Sequence, residues 1–182
     1  LDDFEPGAST DDITKVFAGL RDELVDLIGK IKDSGKSPDT SIILRDYPIE
    51  RQAHFGTEAA KAIGYDLSAG RIDITAHPFC TTIGPGDVRI TTRYNPNHFP
   101  QAFFGIMHET GHAMYDQGLP IEHHGTPCGE TVSLGIHESQ SRMWENLVGR
   151  SRAFWKHFYP KAQSLFPEAL KNVSLDQFYF AI

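Results

Sequence analysis

The chain has 182 residues, 40% of them hydrophobic and 23% charged, proportions that suit a folded globular domain and exclude a disordered one. Seventeen basic residues stand against 24 acidic ones, a formal charge of −7, the wrong sign for a nucleic-acid partner. No apolar run approaches the roughly 18 residues of a membrane span and no signal peptide opens the sequence. The two cysteines, Cys80 and Cys128, are too few for a disulfide framework, so a cytoplasmic location is expected.

The first expected element is a helix over 11–31. Ile13, Val16, Phe17, Leu20, Leu24, Leu27, Ile28 and Ile31 recur at spacings of three and four, a stripe that predicts packing against a core. Ser9 with Asp12 reads as its N-terminal cap. A turn over 33–37 follows, and Pro48 opens a second helix that closes near Gly64. From Leu67 to Ile83 the helical period is lost. Asp87 to Tyr94 alternates with period two, which predicts a strand after a turn at Gly84-Pro85-Gly86; Arg71 to Thr75 is its expected partner.

A third helix is expected from Pro100 to Asp116, stopped by Gly118. A polar loop then leads to Thr126-Pro127, the N-cap and first-turn proline of a fourth helix expected to reach Val148. The remainder is aromatic and helical in pattern, with breaks at Pro160 and Pro167 and a last helix start at Ser174. The expected fold class is therefore mainly α with a small antiparallel β-sheet, in a single domain over 1–182. The uncapped apolar run over 178–182 reads as part of a longer protein.

Nine histidines make a metal the first chemistry to test. His108-Glu109-Thr110-Gly111-His112 is an HExxH motif inside the third predicted helix. At about 100° per residue, its two histidines fall about 40° apart and one turn above each other, so both can reach one ion. Zinc accepts imidazole nitrogen and in catalytic sites keeps one position open for water. Glu109 is placed to take a proton from that water. Phe103, Phe104, Ile106 and Met107 mark the segment as buried, where three polar side chains are costly unless satisfied. A third ligand is sought in His137-Glu138-Ser139-Gln140 on the fourth helix. Glu138 would complete a His2Glu set, His137 is the rival, and either is otherwise a solvated helix residue.

Four motifs in order, His77-Pro78-Phe79, Asp87-Val88-Arg89-Ile90-Thr91, His108 to His112 and His137 to Gln140, make the sequence resemble the carboxypeptidase Taq family of zinc metallocarboxypeptidases. The stretches 1–7, 115–118 and 135–146 share the likeness. The resemblance implies a helical metallopeptidase core with the sheet beside the active site. It implies Zn2+, with Co2+ able to substitute, held by His108, His112 and Glu138, and Glu109 as general base. It also implies a peptide substrate cut at its C-terminus, and a homodimer. Family members are longer at both ends, and the chain lacks two downstream motifs, Ile-Arg…Ala-Asp and Gly…Gln-Asp…His-Trp, expected to hold the substrate. A truncated, inactive zinc-stabilised helical module is therefore the alternative, and a metal-free helical interaction domain, with these polar residues merely hydrogen-bonded, is the other rival.

Candidate substrate-binding residues are His77, Asp87, Arg89, Thr91 and Gln140. Asp87, Arg89 and Thr91 share the polar face of the predicted strand, where Arg89 either holds a carboxylate or pairs with Asp87. His77 is either a cleft residue or a hydrogen-bonded turn histidine. Gln140 and Arg142 read as supporting or surface groups, His123 and His124 as a solvated loop pair. Gly111, costly inside a helix by about 1 kcal/mol against alanine, is expected to admit a neighbouring backbone.

Overall fold

The computed structural model describes every residue of the chain except Asp3. Seven α-helices and three strands appear among the described residues. Helix α1 (Thr10–Asp33) starts where expected, with the Ser9 side chain accepting from the Asp12 backbone N–H. Its stripe does not pack: no residue of α1 is buried, and Val16, Phe17, Leu20, Leu24, Leu27, Ile28 and Ile31 are exposed. Helix α2 (Ile49–Ile63) ends at Gly64, whose φ of +121° suits a residue without a Cβ.

Strands β1 (Ile72–Ile74), β2 (Cys80–Gly84) and β3 (Asp87–Thr92) form one sheet in the order β1-β3-β2. The sheet is mixed rather than antiparallel. β2 and β3 make the antiparallel hairpin, with Cys80 opposite Ile90, whereas β1 lies parallel to β3, with Ile72 opposite Ile90. The physical reason is connectivity. A two-residue turn joins β2 to β3, so β2 takes the antiparallel edge and β1 reaches the other edge by a crossover.

Helix α3 (Phe99–Gln117) crosses the middle of the chain. Val88 and Ile90 of β3 pack with Ile106 and Ala113 of α3 in a small cluster. On another side of α3 lies the main core, an aromatic cluster. Phe99 and Phe103 meet Phe55 of α2, Trp155 of α5 (Arg152–Leu165), and Phe166; Trp155 also meets Phe178 of α7 (Leu175–Ala181). Aromatic pairs in such tilted and edge-on arrangements add about 0.5–1.5 kcal/mol each beyond the area they bury. Pro160 does not break α5. It faces solvent while Trp155, Phe158, Tyr159 and Ala162 anchor the buried side, so the chain tolerates one missing helical bond. Pro167 does open a new turn, α6 (Pro167–Leu170), at its favoured first position.

The fourth helix differs from expectation. Thr126 makes no side-chain cap, and Pro127–Gly129 is a single 3-10 turn. Helix α4 (Leu134–Arg142) begins only where Ser133 accepts from the Ile136 N–H. The N-terminal segment supports this start, because Phe4 O accepts from Leu134 N and Glu5 Oε2 accepts from Gly135 N. Past Arg142 the helix widens into a π-helical turn over Met143–Val148.

Candidate metal centre

Helices α3 and α4 make the site. A Cβ built on Gly111 would fall 2.6 Å from both Gln140 O and Ser141 Cα, so the two backbones touch at that glycine. This approach carries Glu138 across to the HExxH face. Glu138 Oε2 lies 3.2 Å from His112 Nε2 and 3.6 Å from His108 Nε2. The two imidazole rings stand 5.0 Å apart at 78°. Tetrahedral ligands bonded to zinc at about 2.0–2.1 Å sit about 3.3 Å from each other. The observed spacings bracket that value, and two imidazole nitrogens with a carboxylate oxygen are a zinc-type donor set. The residues therefore fit a divalent ion.

His137, the rival ligand, is engaged elsewhere. Its Nε2 lies 2.8 Å from Asp116 Oδ1, and Asp116 Oδ2 accepts from the Thr82 hydroxyl. Its ring stacks on His112, with centroids 4.5 Å apart. Burial, helped by the His137 and His108 imidazoles, pushes His112 down to about 4, which keeps the ring neutral and its lone pair available. Burial would raise Glu138, but the Ser141 hydroxyl, His108 and Arg142 outweigh it and hold the carboxyl below its usual value.

Glu109 is 7% exposed. Burial pushes its carboxyl above the ordinary carboxylate value, with His108 opposing and Glu138 adding to the rise. A dication nearby would reverse that direction. None of the described residues donates a hydrogen bond to Glu109, which leaves both its oxygens for a water or a substrate.

Of the charged substrate candidates, His77 is the one whose imidazole acts on the Glu109 carboxyl. It is exposed, and its Nδ1 lies 2.7 Å from Pro78 O. Asp87 and Arg89 close on each other through two parallel bonds of 2.8 and 2.7 Å, the pairing that competes with substrate binding. Thr91 is buried and structural: its Oγ1 accepts from Phe79 N and bonds to the Thr75 hydroxyl. Gln140 sits about 200° around α4 from Glu138, in a recess with Met114, Tyr115 and Trp144. Cys80 is half-buried, its thiol pushed up to about 12 by burial, and Cys128 is exposed. His123 and His124 are exposed.

The family model for carboxypeptidase Taq (M32) metallopeptidases matches residues 1–182, the whole chain. The chain belongs to the M32 family. It is 56% identical over all of its 182 residues to thermostable carboxypeptidase 1 of Thermus thermophilus, and 43% identical to carboxypeptidase 1 of Bacillus subtilis. It covers 100% of itself and 36% of each of those proteins. The crystal structure of an M32 carboxypeptidase from Deinococcus radiodurans R1 matches the full chain at 43% identity with a TM-score of 0.96, again over 36% of that protein. The chain thus spans about 36% of the length of its relatives. M32 proteins are metallopeptidases, which implies a divalent metal.

Two side chains of this M32 chain meet the site without standing out in its motifs. Glu145 Oε2 lies 2.9 Å from His108 Nδ1, and Asp116 holds His137. A signal for Glu145 exists in the sequence: it lies seven residues beyond Glu138, nearly two helical turns, and so returns to the same face. Asp116 carries one as well: it lies four residues beyond His112, one turn further along the face of the two motif histidines.

Proposed function

We propose that this M32 chain holds the metal centre of a zinc metallocarboxypeptidase that releases C-terminal amino acids from peptides. The observation that carries the reading is the meeting of His108 Nε2, His112 Nε2 and Glu138 Oε2 beside an unbonded, buried Glu109. Zinc held by those three residues would polarise the scissile carbonyl and acidify the attacking water. Glu109 takes the proton from that water and passes it to the leaving amine, a role that needs a carboxylate free of other partners. Glu138 and the two imidazoles would hold the ion, a three-residue set of the kind that catalytic zinc sites use. His77, exposed and near enough for its charge to bear on the Glu109 carboxyl, is the candidate contact to the substrate. We extend the reading to a cytoplasmic location, supported by the free thiols of Cys80 and Cys128, and to a homodimer, supported by the family likeness alone. No helix among the described residues is long and apolar enough to cross a membrane.

The test is metal content by elemental analysis, paired with hydrolysis of a peptide bearing a free C-terminus. Glu109→Gln should retain one zinc per chain and lose at least about a hundredfold in rate. Full activity in that variant would remove Glu109 from the mechanism. Cleavage of C-terminally amidated peptides at equal rate would replace carboxypeptidase by endopeptidase action. The second reading, a zinc-stabilised module without activity of its own, is favoured by the 36% coverage of the relatives. It predicts bound zinc and no hydrolysis by the parent chain.

A further inference from the structure

The two candidate histidine ligands are held in different ways. His112 Nδ1 is buried and makes no hydrogen bond, and its ring is fixed by stacking on His137. His108 is held by charge. Its Nε2 faces Glu138 Oε2 at 3.6 Å, and its Nδ1 meets Glu145 Oε2 at 2.9 Å. One imidazole therefore lies between two carboxylates that come from a single continuous helix.

Arg142 closes the frame. It stands four residues after Glu138 and three before Glu145. Its Nε donates to Glu138 Oε1 at 2.8 Å and its Nη1 to Glu145 Oε2 at 3.2 Å. Holding Oε1 leaves Oε2 of Glu138 turned toward the imidazole pair. Glu145 is the more enclosed of the two acids, with its side chain 15% exposed, and a carboxylate so placed is retained only where it is paired. The π-helical turn Met143–Val148 carries Glu145, and such turns recur at functional sites.

An ionised carboxylate can only accept, and a neutral imidazole donates from one nitrogen only. In the neutral ring, a bond between Glu145 and His108 Nδ1 therefore puts the proton on Nδ1 and leaves Nε2 bare toward Glu138 and His112. We infer that Glu145 is a positioning residue: it fixes His108 in the Nδ1–H tautomer and, through Arg142, is tied to Glu138 so that both carboxylates keep their register on one ring. The consequence for metal affinity rests on the zinc reading above; the tautomer does not.

The experiment is nitrogen-15 NMR of the histidine rings in the 182-residue chain without metal, at a pH where His108 is neutral, with His108→Asn used for assignment. Zinc affinity is measured alongside by competition with a chromophoric chelator. The parent should show His108 in the Nδ1–H form. Glu145→Leu, which keeps bulk but has no acceptor, should move the ring to the Nε2–H form that a free imidazole prefers. It should also weaken zinc about 10–100-fold. Glu145→Gln keeps size and an acceptor oxygen, so it should retain the tautomer and lose less than about tenfold. Should Glu145→Leu not fold, the parent and Glu145→Gln spectra still decide the tautomer. An Nε2–H ring in the parent overturns the inference, as does a tautomer and zinc affinity unchanged in Glu145→Leu. A parent that binds no zinc yet shows the Glu145-dependent tautomer would defeat the zinc reading and leave this one standing.

Discussion

Helices α1 and α3 are both long and both carry many apolar residues, yet they live in opposite environments. None of the 24 residues of α1 is buried, whereas α3 buries eleven, from Phe99 to Ala113. The difference teaches that periodicity identifies a face without identifying what covers it. α1 has a clear stripe at helical spacing and nothing on it among the described residues. α3 is covered by the aromatic cluster, by the sheet and by α4, and a helix apolar on several sides belongs in an interior. That enclosure is also what gives the polar side chains of α3 their chemistry. His108, Glu109 and His112 are withdrawn from water, where charge and lone pairs count for more.

The largest expected effect comes from emptying the space beside α3. Trp155 is fully buried and meets Phe103 at 5.1 Å and Phe178 at 4.7 Å between ring centroids. Trp155→Ala should cost about 3–5 kcal/mol in urea unfolding. A loss below about 1 kcal/mol would mean that the aromatic cluster is not what holds α3 inside, and the contrast with α1 would fail.

A smaller effect with a more diagnostic sign is expected at Gly111. Helix propensity alone says that Gly111→Ala stabilises by about 1 kcal/mol. The close backbone approach says the reverse, because the new Cβ would lie 2.6 Å from Gln140 O, a backbone atom that cannot swing aside. Overpacking of this kind costs about 1–3 kcal/mol, and pushing α4 away should also move Glu138 from the imidazole pair and weaken the binding of a divalent metal. Stabilisation with unchanged metal affinity would show that α3 and α4 do not need to touch at this point.

Much of this arrangement was legible in the residues, and the exceptions have physical causes. The cap at Ser9, the close of α2 at Gly64 and the stop of α3 at Gly118 follow from local chemistry that acts within a few residues. The HExxH geometry is equally local. The late start of α4 was not legible, because Thr126-Pro127 reads as a cap and the chain instead uses Ser133 together with Phe4 and Glu5, some 130 residues away. The partner of β3 over 71–75 was legible but its parallel sense was not, because alternation marks a strand and not its direction. The polar face over Asp87, Arg89 and Thr91 could have served a ligand or itself, and only coordinates show Arg89 closed on Asp87 and Thr91 bound to Phe79.

The smallest expected effect lies on α1. Phe17 and Ile28 are exposed to 62% and 60%, so replacing them by glutamine removes little buried area and improves or preserves helix propensity. Phe17→Gln and Ile28→Gln should each change the unfolding free energy by less than about 0.5 kcal/mol, as substitutions at solvent-facing positions do. The same urea titration used for Trp155→Ala measures this, and repeating it over a range of protein concentrations adds a second readout. A loss above about 1.5 kcal/mol would mean that the stripe is buried in solution, and a concentration-dependent midpoint would identify the covering surface as another copy of the chain. In that event α1 and α3 would differ in what buries them rather than in whether they are buried.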